Sequence, residues 1–127
     1  PIAPAVPSDL AEVYFDMPLV TSDSAPEYFM LAVHPVRPAM RSVSPAVTHA
    51  DGTARVQVVS ENSNPLFCRL LHDFGALTGV PVLMNTSFNL RGEPVVETPE
   101  DALNTFVASG MDNLVMGRHV VHKGLAL

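Results

Sequence analysis

Cationic side chains are scarce in this chain. Its 127 residues include seven basic ones, of which Lys123 is the only lysine, against 13 acidic ones, for a formal net charge of −6. That balance excludes a sequence-independent nucleic-acid binder, which needs a concentrated positive surface. It also makes recognition of any anion depend on a few placed residues, or on basic groups from outside the chain. Cysteine is nearly absent: Cys68 stands alone, so no internal disulfide and no zinc-type thiolate cluster can form, and a cytoplasmic origin is expected. Apolar runs reach only a few residues, too short to span a bilayer as a helix. There is no internal repeat, no Gly-x-Ser-x-Gly elbow and no phosphate-cradling glycine-rich loop. The opening Pro1-Ile2-Ala3-Pro4 has neither an initiator methionine nor the basic start of a signal peptide. It reads as the beginning of a piece cut from something longer.

What is present describes a compact globular chain. Hydrophobic residues make up 47% and charged residues 16%, and the length suits a single domain, 1–127, with a real core. The first part, to about Pro45, is proline-rich and irregular. Ser8 is placed to cap a short helix carrying Leu10, Val13 and Tyr14, and Tyr28 to His34 reads as a strand closed by Pro35. Arg55-Val56-Gln57-Val58-Val59 alternates like a half-buried strand.

The second half is more regular. Asn64-Pro65 signals a helix start, Phe67, Leu70, Leu71, Phe74 and Leu77 recur at helical spacing, and Gly79 ends the run. Val80 to Met84 reads as a buried strand. Thr98-Pro99-Glu100-Asp101 repeats the start signal for a helix carrying Ala102, Leu103, Phe106 and Val107 to Gly110. Leu114-Val115-Met116 and His119-Val120-Val121 read as two strands joined through Gly117-Arg118. The order predicts an α/β domain with a mixed sheet.

Chemistry concentrates at one place. The apolar run to Met84 gives way abruptly to Asn85, Thr86, Ser87 and Asn89, followed by the turn residues Arg91, Gly92 and Pro94. A strand end that delivers several small polar groups beside a turn is suited to a small polar ligand: phosphate, carboxylate or a carbamoyl group. The competing reading is loop bracing, which Asn and Thr often perform. Arg55 follows the Asp51-Gly52-Thr53 turn, and its guanidinium suits bidentate recognition of phosphate or carboxylate; the alternative is an edge-strand arginine facing solvent. His49 and Asp51 share a loop but fit no metal motif, so bracing hydrogen bonds are the expectation there. His34 and His72 have no polar company in the sequence, His119 and His122 fall on opposite strand faces, and Cys68 reads as a small core residue.

With these residues in view, the chain resembles the C-terminal part of the O-carbamoyltransferases, the NodU/CmcH type of nodulation-factor and antibiotic biosynthesis. The matching phrases are Pro-Ala-Val-Thr-His-Ala-Asp-Gly-Thr-Ala-Arg (45–55), Thr-Gly-Val-Pro-Val-Leu-Met-Asn-Thr-Ser-Phe-Asn-Leu-Arg-Gly-Glu-Pro (78–94), Thr-Pro-Glu-Asp-Ala (98–102) and Ser-Gly-Met-Asp-Asn-Leu-Val-Met-Gly (109–117). The opening Pro-Ile-Ala-Pro is similar to the family's Pro-Phe-Ala-Pro.

The resemblance implies a YrdC-like fold, a twisted mixed sheet with flanking helices. Ser87-Phe88-Asn89 looks like that fold's Ser-x-Asn signature, and Gly92-Glu93-Pro94 like its Gly-x-Pro. It implies activation of carbamoyl phosphate with ATP and Mg²⁺ to carbamoyl adenylate. The carbamoyl group would then pass to an acceptor hydroxyl in an N-terminal Kae1-like domain of the same polypeptide. By position, Arg55 would hold carbamoyl or phosphate oxygens, Ser87 would bond the phosphate or adenylate, and Asn85 and Asn89 would shape the pocket. Arg55 and Ser87 are the expected catalytic residues, and no metal-binding residue is expected. The family's Lys-x-Arg-type residues lie upstream of its Pro-Phe-Ala-Pro phrase, so the 127 residues alone are expected to be inactive. A non-catalytic module binding a nucleotide or carbamoylated ligand is the alternative, and a purely structural domain ranks third.

Overall fold

The computed structural model describes residues 2–22 and 24–124; Pro1 of the opening phrase lies outside them. The chain divides into two compact units, Pro1–Thr86 and Ser87–Leu127.

The first unit is organised by a strand absent from the sequence expectation. Strand β1, Ala3–Pro7, is buried at every position. It lies at the centre of a three-stranded sheet between β4 (Gln57–Val59), to which it runs parallel, and β5 (Leu83–Asn85), to which it runs antiparallel. Two prolines in a central strand contradict the usual rule, because proline donates no ladder hydrogen bond. The register removes the conflict. Pro4 pairs only with Met84 of β5, and Pro7 only with Val59 of β4. Ser8 N–H donates to Val59 O, so by alternation the Pro4 nitrogen points to the β4 side, where pairing starts only at Ala5, and the Pro7 nitrogen to the β5 side, where pairing has ended at Ala5.

Helix α2, Pro65–Thr78, covers one face of this sheet. Asn64 accepts a hydrogen bond from Phe67 N at 3.1 Å, Pro65 occupies the first turn, and Gly79 closes the helix in the left-handed region at φ 81°. These are the start and stop signals expected from the sequence. Cys68 and Leu71 pack on Ala5 and Val59, and burial pushes the Cys68 thiol pKa up, helped by Asp9 and Glu61. The apolar stripe is narrower than its spacing suggested, since Leu70 and Leu77 are exposed. At the end of α2 the chain turns back so tightly that a Cβ on Gly75 would lie 2.7 Å from Pro81 Cβ.

The other apolar cluster gathers Val6, Phe15, Val36, Ala54, Val56 and Val58. Here several expectations are corrected. The short helix α1 is Ala11–Tyr14, entered from Leu10 without a side-chain cap; Ser8 instead donates its backbone N–H to Val59 O. Tyr28–His34 is not one strand. Pro26 starts a 3-10 turn over Pro26–Phe29, Met30 takes φ 57°, and only Val33–Pro35 forms strand β2. Residues 55–59 belong to two sheets: β3 (Thr53–Arg55) pairs with β2, and β4 begins at Gln57 after the buried Val56. The run from Val80 to Met84 yields a strand only at Leu83–Asn85, on the sheet edge, with Met84 exposed. Both histidines without apparent company have partners: His34 pairs with Glu27 at 3.0 Å and His72 with Asp9 at 3.3 Å.

The second unit contains helix α3 (Pro99–Ala108) and a hairpin of β6 (Asn113–Met116) and β7 (His119–His122), turning at Gly117. Ala102, Phe106 and Leu114 form its core, with Phe88 and Val96 against them. Helix α3 opens with a complete capping box: the Thr98 hydroxyl accepts from Asp101 N at 3.1 Å, while Asp101 Oδ2 accepts from Thr98 N at 3.0 Å. The mixture of small mixed and antiparallel sheets with helices is an α/β fold.

Two outcomes follow from these contacts. Alanine ordinarily improves a helix by about 1 kcal/mol over glycine. At Gly75 the Pro81 ring reverses the sign, so Gly75→Ala should lower the urea midpoint of the domain, by overpacking of about 1–3 kcal/mol; an unchanged or higher midpoint would show that the turn yields. Hydrogen bonds from the Thr98 side chain, then from its backbone, lower the Asp101 pKa from 3.8. A depressed native value means the box is fully formed above about pH 3.8 and is lost as pH falls through the native pKa. Hydrogen-exchange protection at the Thr98 and Asp101 amides should therefore fall in acid, and Thr98→Ala should remove this dependence.

Candidate functional site

The loop before β3 is held by a chain of side-chain hydrogen bonds. Asp51 Oδ1 accepts from Thr53 N at 3.0 Å and from Thr53 Oγ1 at 2.7 Å. His49 Nδ1 lies 3.1 Å from the same hydroxyl. The Asp51 pKa is lowered, first by the Thr53 hydroxyl and then by its backbone N–H. Gly52 sits at φ 81°, in the left-handed region that favours glycine, with the Arg41 guanidinium against it. His49 and Asp51 thus brace the loop through Thr53, the bland reading of this pair.

Arg55 follows on β3, with its side chain on the same face as Thr53, since residues two apart on a strand share a face. It is half-buried, and its Nε is buried without a hydrogen-bond partner; the same holds for His49 Nε2. The reason for the vacancy is visible in the register. The β2 residues opposite Arg55 and Thr53 are Val33 and Pro35, which carry no acceptor side chain. Arg55 thus lies on a strand of a two-stranded sheet, part-exposed, with its Nε under cover.

Asn85 ends β5 and donates from Nδ2 to Gln57 Oε1 at 2.6 Å. The two side chains meet from opposite outer strands, over Ala3 and Ala5 of β1, both fully buried. Alanine at those positions leaves room for the amides to reach each other. Gln57 also lines a cleft of about 300 Å³ with Tyr28, Phe29, Ser63, Asn64 and Phe67. Sequence reasoning passed over Gln57, although its alternation with Ala54, Val56 and Val58 marked it as lying off the core.

Ser87 and Asn89 belong to the second unit. Asn89 Nδ2 donates to Leu90 O at 3.0 Å and Glu93 O at 2.9 Å. Its amide therefore braces the turn through Gly92, which takes φ 87°. Ser87 is exposed, and among the described residues no side-chain hydrogen bond engages its hydroxyl. Also among the described residues, no group of three His, Cys, Asp or Glu side chains could hold a metal ion.

A small mixed sheet, two antiparallel strand pairs and their flanking helices make this an α/β domain, with a buried unpaired guanidinium nitrogen and a polar strand end as its candidate features. The family model "Carbamoyltransferase C-terminus" matches residues 1–123, and the chain belongs to that family. It is 43% identical to the nodulation protein NolNO of Sinorhizobium fredii over 127 residues, covering 99% of this chain and 18% of that protein. Nodulation protein NolO of Bradyrhizobium diazoefficiens is 40% identical over 97% of the chain and 22% of its own length. The 3'-hydroxymethylcephem-O-carbamoyltransferase of Amycolatopsis lactamdurans is 44% identical over 57% of the chain and 14% of its own length. The chain thus spans about a fifth of the length of the first of these relatives.

The Asn85–Gln57 pair invites a double-mutant cycle. Gln57→Ala leaves the Asn85 amide without its partner and should cost about 1–2 kcal/mol in urea denaturation. Adding Asn85→Ala should cost little more, giving a coupling of at least about 0.5 kcal/mol; strict additivity would show that the pair does not act as a unit.

Proposed function

We propose that the intact protein is an O-carbamoyltransferase and that this α/β domain, of YrdC-like fold, activates carbamoyl phosphate with ATP. The observation that carries the reading is Arg55: a buried, unpaired Nε in a domain whose family is defined by carbamoyl transfer. An arginine with an unmet donor fits a phosphate or carbamoyl oxygen. Ser87, in the second unit, is exposed and has no side-chain partner, which suits a hydroxyl that bonds a phosphate or adenylate oxygen. Asn85 is fixed by Gln57 in the first unit and Asn89 by its own turn in the second, and each is proposed to shape the pocket wall within its own unit. ATP, as its Mg²⁺ complex, would supply the adenylyl group: carbamoyl phosphate would lose its phosphate to water, and the carbamate oxygen would then take the α-phosphoryl group with pyrophosphate leaving. The domain's own residues contribute positioning and charge neutralisation on non-bridging oxygens, which is most of what such transfers need.

Carbamoyl adenylate is the activated form in this reading. The acceptor is a hydroxyl of a secondary metabolite or nodulation factor, brought by an N-terminal Kae1-like domain of the same polypeptide. The greater length of the relatives and their names support that arrangement. Among the described residues no helix is long and apolar enough to cross a membrane; a cytoplasmic reaction is part of the proposal.

In the full-length protein, Arg55→Ala and Ser87→Ala should each reduce carbamoyl-phosphate-dependent ATP/pyrophosphate exchange by about 10²-fold or more, with unchanged circular dichroism. Arg55→Lys should recover little, because an ammonium does not reproduce the planar fork. Wild-type turnover in both alanine variants would remove these residues from the site.

A further inference from the structure

His49 carries a buried acceptor that the loop-bracing role does not use. The Thr53 hydroxyl has one proton, and Asp51 Oδ1, an ionised acceptor 2.7 Å away, takes it. The hydroxyl can then only accept from His49 Nδ1 at 3.1 Å. In the neutral ring that places the imidazole proton on Nδ1 and leaves the lone pair on Nε2, which is buried and unpartnered. Thr53 and Arg55 share one face of β3, so the imidazole tied to Thr53 lies on the face that also carries the unpaired Arg55 Nε–H. One face therefore presents a buried acceptor and a buried donor, both unmet. Buried polar groups are rarely left so in folded proteins, and each unmet one costs about 1–3 kcal/mol.

From this juxtaposition we infer that His49 is the residue that selects the carbamoyl group, Nε2 accepting from its NH₂ while Arg55 donates to its oxygen. The inference rests on the reading of the domain as a carbamoyl-activating one and adds what that reading leaves open: how the amide is told from its isosteres. An acetyl group puts a methyl where the NH₂ stands, leaving Nε2 unsatisfied. A carboxylate puts an oxygen lone pair against a nitrogen lone pair. A site built to hydrogen-bond an N–H rejects analogues lacking it far more strongly than a hydrophobic pocket rejects a misfit. The Asp51–Thr53 pair acts as a positioning device, because it holds the tautomer that accepts.

The test compares carbamoyl phosphate with acetyl phosphate on the full-length protein, by calorimetric binding and by ATP/pyrophosphate exchange. The wild type should prefer carbamoyl phosphate by at least about tenfold in Kd. His49→Phe should bring the ratio near unity, mainly by weakening carbamoyl phosphate, whereas His49→Gln, whose carbonyl can accept, should recover part of it. Thr53→Val, which frees the tautomer, should give an intermediate ratio; it and His49→Gln decide the matter if His49→Phe does not fold. Retained discrimination in the folded His49 variants, with the wild type active, overturns the role of His49 alone. A wild type that neither binds carbamoyl phosphate nor supports exchange overturns the functional reading and this inference with it.

Discussion

Strand β1 must pair with two partners running in opposite directions while carrying two residues that cannot donate a ladder bond. The offset of its two registers meets that constraint, with Pro4 paired only with β5 and Pro7 only with β4. Everything placed by the mixed sheet follows from the offset. Because β4 lies beside Ala5 and β5 beside Ala3, Gln57 and Asn85 come from opposite edges and meet over two methyl groups. Because β4 is held there, the chain before it is committed at Val56 to leave the mixed sheet and enter the β2–β3 ladder with Arg55 as its last residue. Larger residues at Ala3 or Ala5 would fill the space the amides use; a register shift by one residue would turn every one of these side chains to the other face.

The elements that were legible in the sequence are those ended by local chemistry. Asn64-Pro65 with Gly79, and Thr98-Pro99 with Asp101, announce helices through hydrogen bonds made within a turn, and the structure contains those bonds. The hairpin at Gly117 is equally local. What was not legible depends on partners far along the chain. Ala-Pro-Ala-Val-Pro has poor strand character on its own and becomes the central strand only because β4 and β5, more than 45 residues away, enclose it. The same distance hid Gln57, whose role requires Asn85. The break at Val56 was hidden for a different reason: burial alternates smoothly through it, so the pattern records the faces but not the change of sheet.

At the candidate site, residue type pointed to polar strand ends but could not separate satisfied groups from unsatisfied ones. In the sequence Arg55 was a candidate catalytic residue and Asn89 a candidate for shaping the pocket. The structure divides them, because the Asn89 amide already donates twice to its own turn while Arg55 Nε donates to nothing. His49 was read as a bracing residue, and one of its nitrogens is. The other nitrogen is invisible to such a reading, since a ring with two distinct nitrogens can brace with one and recognise with the other.

The scarcity of cations sharpens the position of Arg55. Arg37 donates to Glu12 O and faces Asp16; Arg41 donates to Val36 O; Arg69 lies 3.6 Å from Asp73; and Lys123 donates to Ser109 O. Arg91 and Arg118 are exposed, where water satisfies a guanidinium at little cost. Among the described residues, Arg55 is the one cation with a buried nitrogen lacking a partner. In a chain rich in arginine and lysine such a vacancy would compete with many alternatives for an anion. Here the chain has a net charge of −6, and an anion approaching it meets repulsion except where a cation is held ready. A ligand with an acceptor for Arg55 and a donor for His49 would remove two buried deficits at once, and in the proposed reading binding energy and selectivity would come from the same pair of atoms.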